Sequence, residues 1–413
     1  MIREIYSVST KKTTLSVMNT KVSAILKSST VKTGLRLYEN GYIGVAGAIG
    51  AYNEEKLLSH AKQMLNFQIP YDCEPTKNMK RTVDLTENCA LNVSEFVEKS
   101  ETLLRKLGQA YPNFSFSHKI ILEEVETRLH NDLGVALINK DKLVKAELLI
   151  KHSKSKNLMD GIGAYHAREF DLEAAFNAIS ESCAVFEEKI SVPDAKMPVI
   201  MLLSPEIVLE KFYTDLNGRA MGTGASMFAG KLGEKLFSDD FTLYVEHSPD
   251  EFQCFFDAEG TVLLNDRFAL IENGVLLSPF SSKKIAKEYG YAVTGSGGGE
   301  YDSVPNLSEE GINFKTSGKT IHELLAGRKA IYIAMASGGD FTAQGEYASP
   351  IQAAYCWEDG KITGRLPQMS MSSHIYEMFG KDFIGLSTDG NAKGSPFKYL
   401  AMEMNISTIG DWM

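Results

Sequence analysis

Through the first 150 residues the chain alternates apolar and polar positions, the pattern of half-buried strands. Residues 5–26 and 33–48, rich in Val, Ile, Thr and Tyr, read as paired strands joined near Ser28-Ser29-Thr30. Segments 116–128, 133–139 and 142–152 alternate in the same way. Between and after them the period becomes helical. Asn53 is placed to cap a helix with Leu57, Leu58, Ala61 and Leu65 on one face. A second helix begins near Ser94 and aligns Phe96, Val97, Leu103, Leu104 and Leu107. A third begins at Asp171, with Leu172, Ala175, Phe176, Ile179, Cys183 and Phe186 on one stripe. The expectation is α+β: an antiparallel sheet covered by helices.

The pattern then changes character. Nine glycines lie in residues 1–200 and 25 in residues 201–413, which separates a half with long helices from a half of short strands and tight turns. The segment Ser191-Val192-Pro193-Asp194-Ala195-Lys196 is the expected boundary, giving an N-terminal α+β domain over 1–190 and a β-rich domain over 196–413. Val199-Ile200-Met201-Leu202-Leu203 reads as a fully buried strand, and Ser204-Pro205 as the cap and first position of a helix. Beyond about residue 237, turn signals at Ala258-Glu259-Gly260, Glu272-Asn273-Gly274 and Glu358-Asp359-Gly360 punctuate short alternating segments. That rhythm predicts a mainly antiparallel β domain, a sandwich or an open barrel.

Charge narrows the function. Lys and Arg total 43 against 53 Asp and Glu, a net charge of −10 over 413 residues. A phosphate-binding surface needs clustered cations, so a dedicated nucleic-acid binder is not expected. No run approaches the ~20 apolar residues that cross a bilayer, and the start Met1-Ile2-Arg3-Glu4, with an early acid, does not read as a signal peptide. Five scattered cysteines without a Cys-x-x-Cys pair suggest reduced thiols and a cytoplasmic address.

Several motifs fail on inspection. Gly318-Lys319-Thr320 resembles the end of a phosphate-binding loop, but residue 313, which should be glycine, is Asn313. Gly295-Ser296-Gly297-Gly298-Gly299-Glu300 ends in Glu300 where a dinucleotide loop needs glycine. Around Ser226 the serine-nucleophile elbow is one glycine short. His322-Glu323 lacks a second histidine, since 326 and 327 are Ala326 and Gly327.

Ordered blocks in the second half carry a resemblance. They begin with Ser226-Met227-Phe228-Ala229-Gly230-Lys231-Leu232-Gly233-Glu234, then Phe255-Phe256-Asp257-Ala258-Glu259-Gly260-Thr261 and Leu270-Ile271-Glu272-Asn273-Gly274-Val275-Leu276. Thr294-Gly295-Ser296-Gly297-Gly298-Gly299, Gly345-Glu346-Tyr347-Ala348-Ser349 and Trp357-Glu358-Asp359-Gly360-Lys361-Ile362 follow. Over residues 198–413 this set resembles the TldD/PmbA family, often labelled modulator of DNA gyrase, and is closer to the PmbA/TldE branch. The resemblance implies two kinds of chain. TldD-like chains carry a zinc-binding His-Glu-x-x-x-His helix and a distant cysteine and are peptidases; PmbA-like chains lack the motif and assemble with them.

Counting back from Ser226 puts the motif on Leu209-Glu210-Lys211-Phe212-Tyr213-Thr214, where only Glu210 survives. The loop that would supply cysteine, residues 388–394, has none. Leu209, Phe212, Tyr213 and Leu216 form an ordinary packing stripe. Glu210 without a metal does not lower the pKa of water. The implied role is a non-catalytic, metal-free subunit, with zinc in a TldD-like partner, presenting peptides or unfolded proteins for proteolysis. The chain would form a heterodimer with that partner, or a homodimer alone. Candidate cleft or interface positions are Glu210, Gly295, Gly297, Gly298, Gly299, Gly338, Gly339 and Glu346. The alternatives are a stand-alone hydrolase using Glu210, Asp257, Glu259 and Glu346, and a binding module for gyrase or DNA.

Overall fold

The computed structural model of the protein describes residues 1–202 and 206–410. The first half contains β1 (Ile2–Met18), β2 (Lys21–Glu39), β3 (Tyr42–Ile49), α1 (Glu54–Leu65), β4 (Ile69–Pro70), β5 (Lys80–Asp84), α2 (Val93–Ala110), β6 (Phe114–Asn131), β7 (Ala136–His152), β8 (Gly161–Ala167) and α3 (Leu172–Ser180). The strands form one sheet in the order β4-β3-β2-β1-β6-β7-β5, with β8 also on β7. One edge of β7 takes β5 in parallel along residues 136–140 and β8 antiparallel along residues 144–150.

Two details differ from the sequence pattern. The first strands reverse at Asn19-Thr20 and Asn40-Gly41, and Ser28-Ser29-Thr30 lies inside β2. Both turns have positive φ at each position (49° and 63°, then 51° and 81°). That geometry matches the twist of a hairpin and suits Asn and Gly, not a serine pair. Segments 133–139 and 142–152 are one continuous strand, β7, because its polar midpoint Lys140-Asp141-Lys142 keeps its ladder with β6.

The helices start as their caps dictate. The Asn53 side chain accepts the Lys56 N–H, Asp171 accepts those of Glu173 and Ala174, and Asn92 with Glu95 closes a capping box on α2. Leu103, Leu104 and Leu107 of α2 and Ala175 and Ile179 of α3 pack on Phe116, Ile120 and Leu148 of the sheet. Leu57 and Ala61 of α1 cover Leu35 and Leu37.

The second half contains β9 (Lys196–Met201), α4 (Glu206–Asp215), α5 (Gly218–Thr223), β10 (Leu243–Glu246), β11 (Arg267–Glu272), β12 (Val275–Leu276), α6 (Lys283–Tyr289), β13 (Gly297–Gly298), β14 (Asn306–Leu307) and β15 (Ile312–Phe314). It continues with α7 (Ile321–Leu325), β16 (Ala330–Ala336), β17 (Asp340–Phe341), β18 (Glu346–Glu358), β19 (Lys361–Arg365), β20 (Met369–His374), α8 (Ile375–Met378), β21 (Phe383–Leu386) and β22 (Leu400–Thr408). The expected helix start at Ser204-Pro205 lies outside the described residues. Strands pair in the order β16-β9-β22-β20-β18, and β18 returns to β16, giving a partial barrel. Pairing is antiparallel except between β9 and β16. A smaller sheet, β12-β11-β10-β15, packs beside it.

The run at 199–202 is apolar throughout because both faces of β9 are covered. Val199 and Met201 join the large core with α4, while Ile200 and Leu202 join Tyr332, Tyr355 and Trp357 on the other side. The two halves meet closely. Arg81 makes a two-pronged contact with Asp266, and Arg168 pairs with Asp141 at 2.8 Å while also donating to the Pro249 carbonyl. Among the described residues no helix is long and apolar enough to cross a membrane.

Candidate functional site

The helix on which the family's metal motif falls, with its ligands replaced, is α4. Leu209 and Phe212 are buried in the core of the barrel, and Leu216 just beyond α4 continues the stripe. Leu209 and Tyr213 line a cleft of about 250 Å³ together with Phe314, Phe397 and Lys398. Lys398 is paired with Glu251, also in the lining, at 2.8 Å. Thr214 does not line this cleft; it is exposed, and its hydroxyl donates to the Glu210 carbonyl at 3.0 Å. Glu210 is also exposed, with no hydrogen bond or ion pair to its carboxylate among the described residues. Lys211 and Asp215 form a buried pair at 2.8 Å, and Asp215 accepts the Met227 N–H at 2.7 Å, tying the helix to the Ser226 block. Leu209 offers no donor atom, Thr214 points elsewhere, and loop 388–394 has no cysteine. These residues do not fit a zinc site, and among the described residues no group of three or more His, Cys, Asp or Glu is placed to hold a metal ion.

The other sequence candidates divide. Asp257 and Glu259 come together with the glycine loop 295–299, away from solvent. Asp257 Oδ1 accepts the N–H groups of Glu259 (2.9 Å) and Thr261 (2.7 Å), and Oδ2 accepts that of Gly297 (2.8 Å). Glu259 accepts from the Tyr71 hydroxyl at 2.6 Å and from the Lys283 N–H at 2.8 Å. A side chain at residue 297 would place its Cβ 2.5 Å from Glu259 Cγ and 2.8 Å from Asp257 Oδ2, so only glycine lets this loop pass. Gly295 presents its carbonyl to His247 Nε2 at 2.6 Å, while His247 Nδ1 faces the Cys254 carbonyl at 3.1 Å. A ring with one proton can donate to only one of these two carbonyls.

Sequence reasoning missed the groups that complete this cluster from the first half. Arg36 is fully buried, donates to Glu4 at 3.4 Å and to the Ala258 carbonyl, and leaves Nε and Nη2 without partners. Tyr38 donates to Glu4 at 2.8 Å. No spacing rule links residues so far apart; the one available signal is a cation and an acid at alternate positions of apolar strands. A narrow cleft of about 280 Å³ borders the cluster, lined by Tyr6, Thr127, His247, Cys254, Gly297 and Glu310.

The chemistry of this cluster is that of a clamp. All three bonds to Asp257 come from backbone N–H groups, and Glu259 bridges the two halves through Tyr71. Glu210 and Glu346 do not join them: both are exposed, and Glu346 opens β18 just after the turn at residues 342–345. Gly338 faces open space and Gly339 packs against Ser349; the two lie in the break between β16 and β17, which both pair with β18. The four carboxylates of the stand-alone hydrolase therefore do not converge on one site.

Burial, aided by the neighbouring Asp257, pushes the Glu259 carboxyl up to about 7, and burial raises Asp257 as well. The folded protein thus holds a proton on Glu259 that the unfolded chain has lost. This stabilises the fold fully below the ordinary carboxylate range, and the contribution is lost as pH rises through about 7. Glu259→Gln mimics the protonated form at every pH. Relative to the variant, the wild type is expected to lose on the order of 1–3 kcal/mol between pH 5 and pH 8. Urea midpoints at the two pH values check this, and parallel pH profiles would refute it.

The fold so far defines a class: an α+β chain in which a helix-covered antiparallel sheet is clamped to a partial barrel. Residues 195–401, half of the chain, match the PmbA/TldA metallopeptidase C-terminal domain, and the chain belongs to that PmbA/TldD family. Its fold is similar to that of TldE from Thermococcus kodakarensis, with a TM-score of 0.80 over 98% of this chain and 96% of that one, at 18% identity. A metalloprotease of Methanocaldococcus jannaschii is 22% identical over 371 residues, 84% of this chain and 80% of its own length. A metalloprotease of Methanothermobacter thermautotrophicus is 27% identical over 169 residues, and that match spans 40% of this chain and 37% of the relative.

Proposed function

We propose that the chain is a PmbA/TldE-like subunit of a TldD/PmbA-type metallopeptidase complex, working in the cytoplasm without a zinc site of its own. The observation that carries the reading is α4, where Leu209 and Thr214 stand at the positions the family resemblance gives to zinc ligands. A helix that binds metal must spend those positions on imidazoles; here Leu209 is committed to the core and Thr214 to its own helix. Activation of water belongs to a TldD-like partner.

This subunit contributes surface and backbone. β3 pairs with β2 over residues 32–39 and Gly50 N–H donates to the Val31 carbonyl, which among the described residues leaves the outer edge of β2 without a strand over residues 21–30. Ile25 and Leu26 are exposed along it. An extended peptide can add to such an edge through main-chain hydrogen bonds, which give affinity independent of side-chain identity. That property suits the presentation of peptides or unfolded proteins.

The test is reconstitution. Mixing the purified chain with a TldD-like zinc subunit is expected to give a heterodimer that degrades an unfolded protein in a zinc-dependent way, while this chain alone forms at most a homodimer and is inert. A mixture that stays inert on every unfolded substrate, or a zinc subunit equally active by itself, would end the proposal.

A further inference from the structure

We propose that the cleft where the loop after β7 meets the end of β19 binds a small molecule carrying two or more linked phosphates. The cleft encloses about 460 Å³. Its charged lining comes from three segments. Lys154 and Lys156 belong to the loop after β7, Glu187 and Lys189 to the segment between α3 and β9, and Arg365 closes β19. No residue of α4 or of the β2 edge takes part, so the inference is independent of the proposed function.

The charge of this cleft runs against that of the molecule. The chain as a whole carries −10, yet here Lys154, Lys156, Lys189 and Arg365 accompany a single acid, Glu187. A concave surface of one sign concentrates ligands of the opposite sign, and its low-dielectric walls strengthen the attraction. The ammonium groups of Lys154 and Lys156 are exposed, with no hydrogen bond or ion pair among the described residues. Two like charges so close in the chain repel each other and contribute no bond to the fold. Glu187 is already engaged, since its carboxylate lies 3.3 Å from Nε2 of the buried His152.

The two lysines sit on a loop that is fixed from within. Asp160 is buried and accepts the His152 N–H at 2.7 Å, the Ser155 hydroxyl at 2.5 Å and the Asn157 side-chain amide at 3.2 Å. Lys151 donates to the carbonyls of Ser155 and Asn157. The polar groups on either side of Lys156 are thus committed to the loop itself, while the ammonium groups of Lys154 and Lys156 are not. Arg365 lies over the Phe186 ring, 4.2 Å from its centroid, and Phe186 packs in turn on His152 at 5.0 Å and Phe114 at 5.3 Å. Stacking fixes the plane of a guanidinium, whose fork matches the oxygens of a phosphate. Lys189 is carried beside it, because residues 188–190 pair with the backbone of Arg365. A frame already ordered loses less freedom on binding. Cations supplied by separate segments around one small space match a chain of phosphates better than a lone carboxylate, which brings a single charge.

Calorimetric titration of the full chain at low salt tests this with tripolyphosphate and with ATP, both free of magnesium. At least one is expected to bind, and the tighter of the two tells an inorganic polyphosphate from a nucleotide. Lys154→Ala combined with Lys156→Ala should weaken binding roughly tenfold or more. Lys56→Ala combined with Lys62→Ala removes the same charge from exposed positions of α1 and should change it less than about twofold. Glu187→Gln, which removes the acid from the lining, should tighten binding severalfold. The urea midpoint of the Lys154 and Lys156 variant should be no lower than that of the wild type, which separates lost binding from lost folding. If that variant is nonetheless unstable, the gain expected in Glu187→Gln still decides. No binding of either ligand, equal losses in the loop and α1 variants, unaltered affinity in Glu187→Gln, or citrate bound as tightly as the phosphates overturns the inference.

Discussion

Phe212→Ala is expected to destabilise the protein by about 3–5 kcal/mol, whereas Glu210→Ala, two residues earlier on the same helix, should stay within about 0.5 kcal/mol. Phe212 is fully buried and meets four other phenylalanine rings, those of Phe228, Phe237, Phe241 and Phe379, at centroid distances between 4.9 and 6.1 Å. Removing its ring leaves a cavity that the surrounding rings cannot all collapse into, because Phe241 and Phe379 are themselves packed against each other at 4.8 Å. Glu210 has nothing comparable to lose. Urea unfolding of the two variants checks the contrast. If α4 were a catalytic helix whose packing mattered little, the order would reverse, with Glu210→Ala harmful to proteolysis by the reconstituted complex and Phe212→Ala mild in unfolding.

The same helix shows what a sequence can reveal. Its stripe Leu209, Phe212, Tyr213, Leu216 was readable because helical period is a local property, and so were the caps at Asn53 and Asp171, which act over three residues. The turns at Asn19-Thr20 and Asn40-Gly41 were also local, yet the β-branched composition of residues 5–26 and 33–48 masked them; hairpin turns are set by φ at two residues, not by the strands around them. The strands β5 and β8 escaped for a different reason. Each is short and is defined by the edge of β7 it joins, which no local pattern records. The clamp was the least legible part. Asp257 and Glu259 were candidates because they are acids within a recognisable block, but the groups that decide their role, Tyr71 and Arg36, come from strands and loops about 190 to 220 residues away. Seen with those partners, Glu259 bridges the halves through Tyr71, and Asp257 holds the segment 257–261 and the glycine loop beside it.

Gly34→Ala is expected to act on that assembly more strongly than its size suggests. Gly34 sits in the middle of β2, paired to both β1 and β3, so its backbone cannot retreat. A Cβ there would lie 1.7 Å from the carbonyl oxygen of Tyr301, which arrives from the loop between β13 and β14. The adjacent strand repeats the arrangement, since a Cβ at Gly47 would lie 2.2 Å from Asp302 Cβ. At Gly34 the obstacle is a backbone carbonyl and at Gly47 the first carbon of a side chain, so neither is the free end of a flexible side chain. Relief therefore requires the loop over residues 300–304 to lift from the sheet, at a cost of about 2–4 kcal/mol by analogy with overpacked cores. Because alanine suits a strand better than glycine does, any loss of stability is attributable to the loop contact. Chymotrypsin cleavage after Tyr301 should accelerate in the variant before global unfolding, and the denaturation midpoint should fall. An unchanged midpoint with Tyr301 still protected would mean that the loop does not rest on Gly34 in solution, and the halves would then be joined by Glu259, Arg36 and the Arg81 and Arg168 contacts without it.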